Sequence, residues 1–159
     1  MAPSVFVPAV FYKDPRAALT WLEQAFGFET TTLVTDAEGN VGHAEMSFLG
    51  GQVQVGGEWE SPEIAGEARM RSPASVEGIN TQFIRIHMDE GLDAHCATAR
   101  AAGARILAAP EDQFYGARVY RAMDPEGHVW TFSQEGAAPS IGEMEARSGL
   151  KIRSSLKED

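Results

Sequence analysis

Residues 113–130 read QFYGARVYRAMDPEGHVW, two β-rich runs on either side of a tight turn. Pro125 fixes φ at the second position of this turn, and Gly127 tolerates a positive φ two residues later. The stretch therefore predicts a β-hairpin that ends in the turn Asp124-Pro125-Glu126-Gly127-His128.

The chain carries one structural pattern twice. A β-rich run at 6–12 precedes Asp14, a good helix N-cap, and apolar residues then recur at helical spacing up to Gly27. In the second half, a β-rich run at 82–88 precedes Asp89 as the predicted cap, a helix over 92–102 and a stop at Gly103. Each half therefore begins as a strand followed by a helix.

Three further β-like runs follow each predicted helix. They are 29–35, 43–49 and 52–56 in the first half, and 104–109, 117–123 and 129–133 in the second. The pattern predicts an α+β chain of two βαβββ modules within one compact domain. We expect the first module at 1–57, a linker or flap at 58–78, the second module at 79–136 and a helical C-terminal tail at 137–159.

The paired modules and the Asp-Pro-Glu-Gly-His turn resemble the vicinal oxygen chelate superfamily of glyoxalases, bleomycin-resistance proteins and extradiol dioxygenases. The resemblance covers about residues 5–135. It implies an open, curved mixed sheet that forms a cup with the helices outside, and a cup of this shape is suited to a small molecule. It also implies a homodimer, because cups of this family are often closed by a second subunit.

The resemblance places the usual metal ligands of this superfamily at Val7, Gln54, Phe83 and Thr131. Only Gln54 has a plausible donor for a divalent ion, so the sequence predicts no cofactor and no family metal site. A different metal cluster, made of His43, Glu45, His87 and His128, is an open alternative. His43 and Glu45 lie two apart on one strand face, an arrangement more typical of a solvated face than of a ligand pair.

Strand alternation and the family orientation together predict the lining of the cup. Arg85 is the most informative member, because a guanidinium on a half-buried strand needs a carboxylate partner or an anionic ligand. We expect Glu45, or a carboxylate or phenolate of a ligand, to meet it. Tyr115 and Arg118 belong to the sequence Tyr115-Gly116-Ala117-Arg118, which resembles a recurring sequence at the cup mouth of small members of the superfamily. The predicted ligand-binding residues are Gln52, Gln54, Phe83, Arg85, His87, Tyr115, Arg118, Tyr120 and Thr131.

Other distinctive residues have simpler structural interpretations. Trp130 is expected to pack beneath a helix, and His128 to be a hydrogen-bonded residue of the turn. His95 is predicted on the surface of the second helix. Cys96, the single cysteine, is expected to be a packed thiol, and its being alone excludes an internal disulfide.

Composition narrows the possible partners and the compartment. The formal net charge of −10 disfavours binding to nucleic acid or to anionic lipid. The sequence shows neither a signal-peptide pattern nor an apolar run long enough to span a membrane, so we expect a cytoplasmic protein with no membrane partner.

Three functional hypotheses follow, and the sequence leaves it uncertain whether the protein is an enzyme. The favoured one is a glyoxalase/bleomycin-resistance-like protein that binds a small organic molecule in its cup without a metal. The second is a divalent-metal-dependent lyase, isomerase or dioxygenase of the same superfamily. The third is a metal-free acid/base enzyme in which Glu45 or His87 moves a proton beside Arg85.

Overall fold

A computed structural model describes residues 4–60 and 68–157 of the chain. Its first half forms a four-stranded sheet in the order β1-β4-β3-β2, in which β1 is parallel to β4 and the other pairs are antiparallel. The elements are β1 (Ala9–Tyr12), α1 (Pro15–Phe26), β2 (Glu29–Thr35), β3 (Val41–Phe48) and β4 (Gly51–Gly57).

The predicted linker contains a small two-stranded ribbon, β5 (Trp59–Glu60) and β6 (Arg69–Met70), followed by a single 3-10 turn (Pro73–Ser75). The part of the linker at 61–67 lies outside the described residues.

The second half repeats the first, with sheet order β7-β10-β9-β8 and β7 parallel to β10. No described helix is long and apolar enough to cross a membrane. The elements are β7 (Ile84–Met88), α2 (Leu92–Ala101), β8 (Arg105–Asp112), β9 (Arg118–Met123) and β10 (Val129–Gln134), followed in the tail by α3 (Ile141–Ser148). The predicted α+β fold of two βαβββ modules with open mixed sheets is confirmed.

Local signals fixed the limits of α1. The Asp14 carboxylate accepts a hydrogen bond from the backbone N–H of Ala17 at 3.0 Å, and Gly27 ends the helix with φ +72°. The corresponding prediction for α2 is wrong at its start. Gly91, with φ +79°, occupies the N-cap without a side-chain bond, so Asp89 lies too far from the first turn to cap it.

The first strand is shorter than predicted. Pairing starts at Ala9, whereas the side chains of Val5 and Phe6 are 92% and 88% exposed. Pro8 has no N–H to donate, and this limits the ladder on its N-terminal side. The segment 4–8 is called the N-terminal arm below.

The helix-covered faces of the two sheets share one apolar core. Phe26, at the end of α1, has its ring centroid 4.8 Å from that of Phe132 and 5.7 Å from that of Trp130, both on β10. Phe28 also packs on Trp130, with a centroid separation of 5.4 Å. The predicted core position of Trp130 is confirmed, since it is only 1% exposed.

This shared core determines where the polar faces lie. Because side chains alternate across a strand, the residues between the core positions project from the opposite face of each sheet. Each polar face is therefore on the far side of its own sheet from the core that joins the modules. The chain presents two such faces, one on each module.

The Asp-Pro-Glu-Gly-His turn joins the two modules. The buried Asp124 carboxylate accepts hydrogen bonds from Tyr12 Oη at 2.6 Å and from Trp130 Nε1 at 3.1 Å. Burial, together with the adjacent Asp124 carboxylate, raises the pKa of Tyr12 well above its usual value. His128 Nε2 donates to the Phe11 carbonyl at 2.7 Å, which confirms the predicted hydrogen-bonded turn histidine.

Glu126, in the same turn, binds the start of α1. Its two carboxylate oxygens accept from the backbone N–H groups of Lys13 and Asp14 at 2.7 and 3.0 Å. Ser72 Oγ, in the linker, donates to the same carboxylate at 2.6 Å. A negative charge at a helix N-terminus is favourable, so this turn stabilises α1 as well as reversing the chain.

His95 is half-buried between the modules, so its predicted surface position is wrong. Its Nε2 donates to the carbonyl of Phe26 at 2.8 Å, and its Nδ1 accepts from Tyr120 Oη at 2.6 Å. The ring also packs 4.5 Å from that of Phe132. The imidazole therefore connects α2 to the last residue of α1.

Burial lowers the pKa of His95, and this predicts acid sensitivity of the junction. The neutral ring is favoured in the folded state, so its contribution to stability is complete above about pH 6.5 and is lost as the pH falls through the lowered folded pKa. We expect the free energy of unfolding, measured in urea between pH 7 and 5, to fall more steeply for the wild type than for His95→Gln. Equal slopes for the two proteins would contradict this role.

Candidate ligand-binding faces

The first open face belongs to the sheet of the first module. Gln54 on β4 lies between Ala9 on β1 and Glu45 on β3, and Thr32 on β2 completes the row. The face consists of Ala9, Phe11, Thr32, His43, Glu45, Gln52 and Gln54. The structure therefore places the predicted ligand residues Gln52 and Gln54 together with the candidate acid/base Glu45.

Glu45 makes its contacts within this face. Thr32 Oγ1 donates to its carboxylate at 3.0 Å, and His43 Nε2 lies 3.4 Å from the other carboxylate oxygen. Arg85, on the other sheet, has Glu135 as its ion-pair partner among the described residues, with 3.7 Å between Nη2 and Oε1. The expectation that Glu45 pairs with Arg85 is therefore wrong within one chain.

The second open face belongs to the sheet of the second module. Thr131 on β10 lies directly between Arg85 on β7 and Arg121 on β9, so three neighbouring strands form the row Arg85-Thr131-Arg121. The next row contains His87 and Ser133. The face consists of Phe83, Arg85, His87, Arg121, Thr131 and Ser133.

Arg85 is held in place by neutral groups as well as by a carboxylate. Its Nη2 donates to Ser133 Oγ at 2.9 Å, and its guanidinium carbon lies 5.5 Å from the centre of the Tyr115 ring. Tyr115 belongs to the loop between β8 and β9, so this loop reaches the second open face. The structure brings Arg85 and Tyr115, both predicted ligand-binding residues, into one region.

His87 forms a pair with Glu135. Its Nδ1 lies 3.0 Å from Glu135 Oε1, and both side chains are largely exposed. A carboxylate in this position orients an imidazole and leaves its second nitrogen free to exchange a proton. The two acid/base candidates, Glu45 and His87, therefore lie on different sheets.

Arg121 is a member of this face that the sequence analysis missed. Its guanidinium carbon lies 5.9 Å from the ring centre of Phe83, and among the described residues it forms no ion pair within 4 Å. Side chains alternate along residues 118–123, so Arg121 projects from the same side of β9 as Val119 and Met123, opposite to Tyr120. Only the strand register shows that this is also the side from which Thr131 projects.

Thr131 is unusual among the polar residues of this sheet. It is 2% exposed, and its Oγ1 is the buried side-chain polar atom that finds no hydrogen-bond partner in the described part of the chain. A buried hydroxyl without a partner costs free energy, and an additional bound group such as a water or an ion is one way in which that cost is removed.

Two predicted lining residues, Tyr120 and Arg118, lie on the helix-covered side. Tyr120 is fully buried, stacks on Phe132 with 5.0 Å between ring centres, and has its pKa raised by burial. Arg118 binds Asp93 of α2 through two bonds of 2.8 and 3.1 Å, and these hydrogen bonds raise its pKa. Side chains alternate along β9, so both residues project from the face opposite Arg121. The prediction that they line the cup is therefore wrong.

The residues at the family metal positions do not form a donor set for a divalent ion. Val7 lies in the N-terminal arm, Phe83 is an exposed ring and Thr131 offers only a buried hydroxyl, so Gln54 supplies the one amide oxygen. In the described ranges 4–60 and 68–157, no three His, Cys, Asp or Glu side chains are arranged to hold a metal ion. The alternative cluster is divided between the two faces and the module junction.

A cavity of about 280 Å³ lies beside the second open face. Apolar residues from both modules form most of its wall, and Arg85 and His87 border it. The N-terminal arm contributes Ser4, Phe6 and Pro8 to its rim. Its principal apolar lining residues are Phe28, Met46, Phe48, Ile84, Ile86 and Trp130.

Comparison with known proteins gives a consistent family assignment. The model of the Glyoxalase/Bleomycin resistance protein/Dioxygenase superfamily matches residues 5–132. An uncharacterized protein of Mycobacterium tuberculosis is 28% identical over 140 residues, covering 87% of this chain and 79% of that protein.

Solved structures agree with this assignment. TioX from Micromonospora sp. ML1 is 26% identical, with a TM-score of 0.64 over 83% of this chain and 99% of its own. The genomically encoded fosfomycin resistance protein FosX of Listeria monocytogenes, solved with Mn(II) and sulfate, has a TM-score of 0.58. At 12% identity, over 92% of this chain and 98% of its own, FosX supports the fold alone.

Proposed function

Because the chain belongs to the Glyoxalase/Bleomycin resistance protein/Dioxygenase superfamily, we propose that it binds a small organic molecule in a cup shared between two copies. The first open face of one copy forms one wall, and the second open face of the other copy forms the opposite wall. The protein acts in the cytoplasm as a homodimer. The observation that carries this proposal is the position of both polar faces outside the single core that joins the modules.

The exposure of the two open faces supports the binding of a second copy of the chain against them. The side chains of Glu45, Arg85 and His87 are 39%, 38% and 65% exposed, although each lies within a strand. The apolar N-terminal arm is also uncovered, with Val5 and Phe6 almost fully exposed. Apolar side chains exposed together are typical of an interaction surface. A dimer would cover the arm and enclose the polar faces.

Metal-independent binding is part of the proposal. The positions that would hold the family metal carry Val7, Gln54, Phe83 and Thr131, which together lack the imidazole and carboxylate ligands that such ions prefer. Recognition of the bound molecule therefore depends on side chains of the two open faces. We expect binding to be unchanged after treatment with a chelator.

A subunit-complementation experiment tests the shared cup. Gln54→Trp fills the first open face and His87→Trp fills the second, so each variant homodimer should lose binding of the neutral fluorophore prodan. Mixed dimers, formed by refolding the two variants together, should regain one intact cup each. Random pairing then restores about one quarter of all sites. Fluorescence titration measures the sites, and light scattering measures the dimer mass.

The same experiment can overturn the proposal. A cup built within one chain would give no recovery in the mixture, because every chain carries one blocked face. A monomeric wild-type protein, or loss of prodan binding on removal of metal by EDTA, would also contradict it. Gln24→Trp, at an exposed position of α1 on the helix-covered side of the first sheet, is the matched control and should leave binding intact.

A further inference from the structure

The row Arg85-Thr131-Arg121 gives the second open face a chemical preference. Neighbouring strands are about 4.8 Å apart, so the two arginines start about 10 Å from each other on either side of Thr131. The two guanidiniums can therefore approach one group placed above Thr131. Charge at this row is positive, although the whole chain has a formal net charge of −10.

The arginines are incompletely neutralised by the protein. Arg121 has no ion-pair partner within 4 Å among the described residues, and its guanidinium lies near the exposed Phe83 ring. Arg85 meets Glu135 at 3.7 Å, a separation longer than a charge-assisted hydrogen bond, and Glu135 is shared with His87. Both cations therefore retain hydrogen-bonding capacity for an added anion.

Thr131 provides a second and independent indication of a ligand. Its hydroxyl is buried and unpartnered in the described part of the chain, and it lies at the centre of the row. An anionic oxygen that enters between the arginines and displaces the side chains now covering this hydroxyl would supply the missing acceptor. Nothing else in the described part of this sheet satisfies that hydroxyl.

We infer that the cup selects an organic anion, with its carboxylate, sulfonate or phosphonate group between Arg85 and Arg121 and a planar apolar body beside Phe83. This inference rests on the proposed function and specifies its ligand class. Arginine suits this role because its planar, permanently charged group forms paired hydrogen bonds with oxyanions. The aromatic rings of Phe83 and Tyr115 next to the guanidiniums provide apolar surface for the rest of the ligand.

Two probes of equal shape test the charge preference. We expect the wild type to bind 2-naphthoate at least about tenfold more tightly than the neutral 2-naphthamide, measured by calorimetry. Arg121→Gln should remove this preference by weakening naphthoate alone, and Arg85→Gln should do the same. Arg100→Gln, an exposed arginine on α2, is the matched control and should keep the wild-type preference.

The outcomes separate the inference from the proposal on which it rests. Equal affinity for the two probes, or an unchanged preference in Arg121→Gln, would overturn the anion inference while leaving the shared cup in place. Binding of neither probe, together with no binding of prodan, would overturn both. Arg121 is exposed, so its variant should fold even where Arg85→Gln, which loses the bond to Ser133, does not.

Discussion

Replacing Phe26 by alanine is expected to lower the free energy of unfolding by about 4 kcal/mol, in the middle of the range for a fully buried phenylalanine. Phe26 is 0% exposed and contacts aromatic rings from both modules. Its removal would leave a cavity at the centre of the shared core. Urea unfolding, followed by circular dichroism and by tryptophan fluorescence, measures the loss.

The same variant tests whether the modules unfold together. Because Phe26 packs on Phe28 of the first module and on Trp130 of the second, we expect one transition that shifts equally for both probes. Leu156→Ala, at a fully exposed position in the tail, should change stability by less than about 0.5 kcal/mol. A loss below about 1 kcal/mol for Phe26→Ala, or two separate transitions, would show that the core is not shared as described.

The second large effect is expected at Asp124. Its carboxylate accepts four hydrogen bonds, from Tyr12 Oη, Trp130 Nε1 and the backbone N–H groups of Glu126 and His128. Asp124→Ala leaves the buried Tyr12 and Trp130 donors without an acceptor. We therefore expect a loss of about 3–5 kcal/mol in the free energy of unfolding.

Two further variants make this result specific. Asp124→Asn keeps one carbonyl oxygen as an acceptor but turns an NH₂ group toward other donors. Its free energy of unfolding should therefore lie between those of the wild type and Asp124→Ala. Asp89→Ala removes an exposed carboxylate from the loop between β7 and α2 and should cost less than about 0.5 kcal/mol. Similar losses in Asp124→Ala and Asp89→Ala would show that the turn does not hold the modules together.

The first open face carries a carboxylate and the second carries two arginines, and this difference affects which ligands the proposed cup favours. Glu45 dominates the first face, where Thr32 and His43 contact its carboxylate. Arg85 and Arg121 dominate the second face. If a partner copy brings the faces together, the carboxylate on one wall faces the arginines on the other. An anionic ligand would then compete with Glu45 for the same cations, and this competition favours ligands that bring apolar contacts as well as charge.

Part of the site could be predicted because alternation along one strand is a local property. Arg85, His87 and Thr131 were placed on one face from their spacing and from the family orientation, and the structure brings these three together. The resemblance that placed Arg118 at the cup mouth was misleading, because Arg118 binds Asp93 on the helix-covered side. Alternation failed for Tyr120, because the strand register decides which side of β9 continues the open side of β10. Arg121 was missed for the same reason, although it is the direct neighbour of Thr131.

The sequence by itself determined the features that neighbouring residues specify: two βαβββ modules, the limits of α1, the tight turn at Asp124 and the buried position of Trp130. Only the tertiary structure decided how the modules meet. The bond from Tyr12 to Asp124, the attachment of Glu126 to α1 and the placement of His95 on Phe26 join residues far apart in the chain. Caps, turns and alternation act over a few residues, whereas these contacts depend on how two complete modules pack, and that packing sets which faces stay open to a ligand.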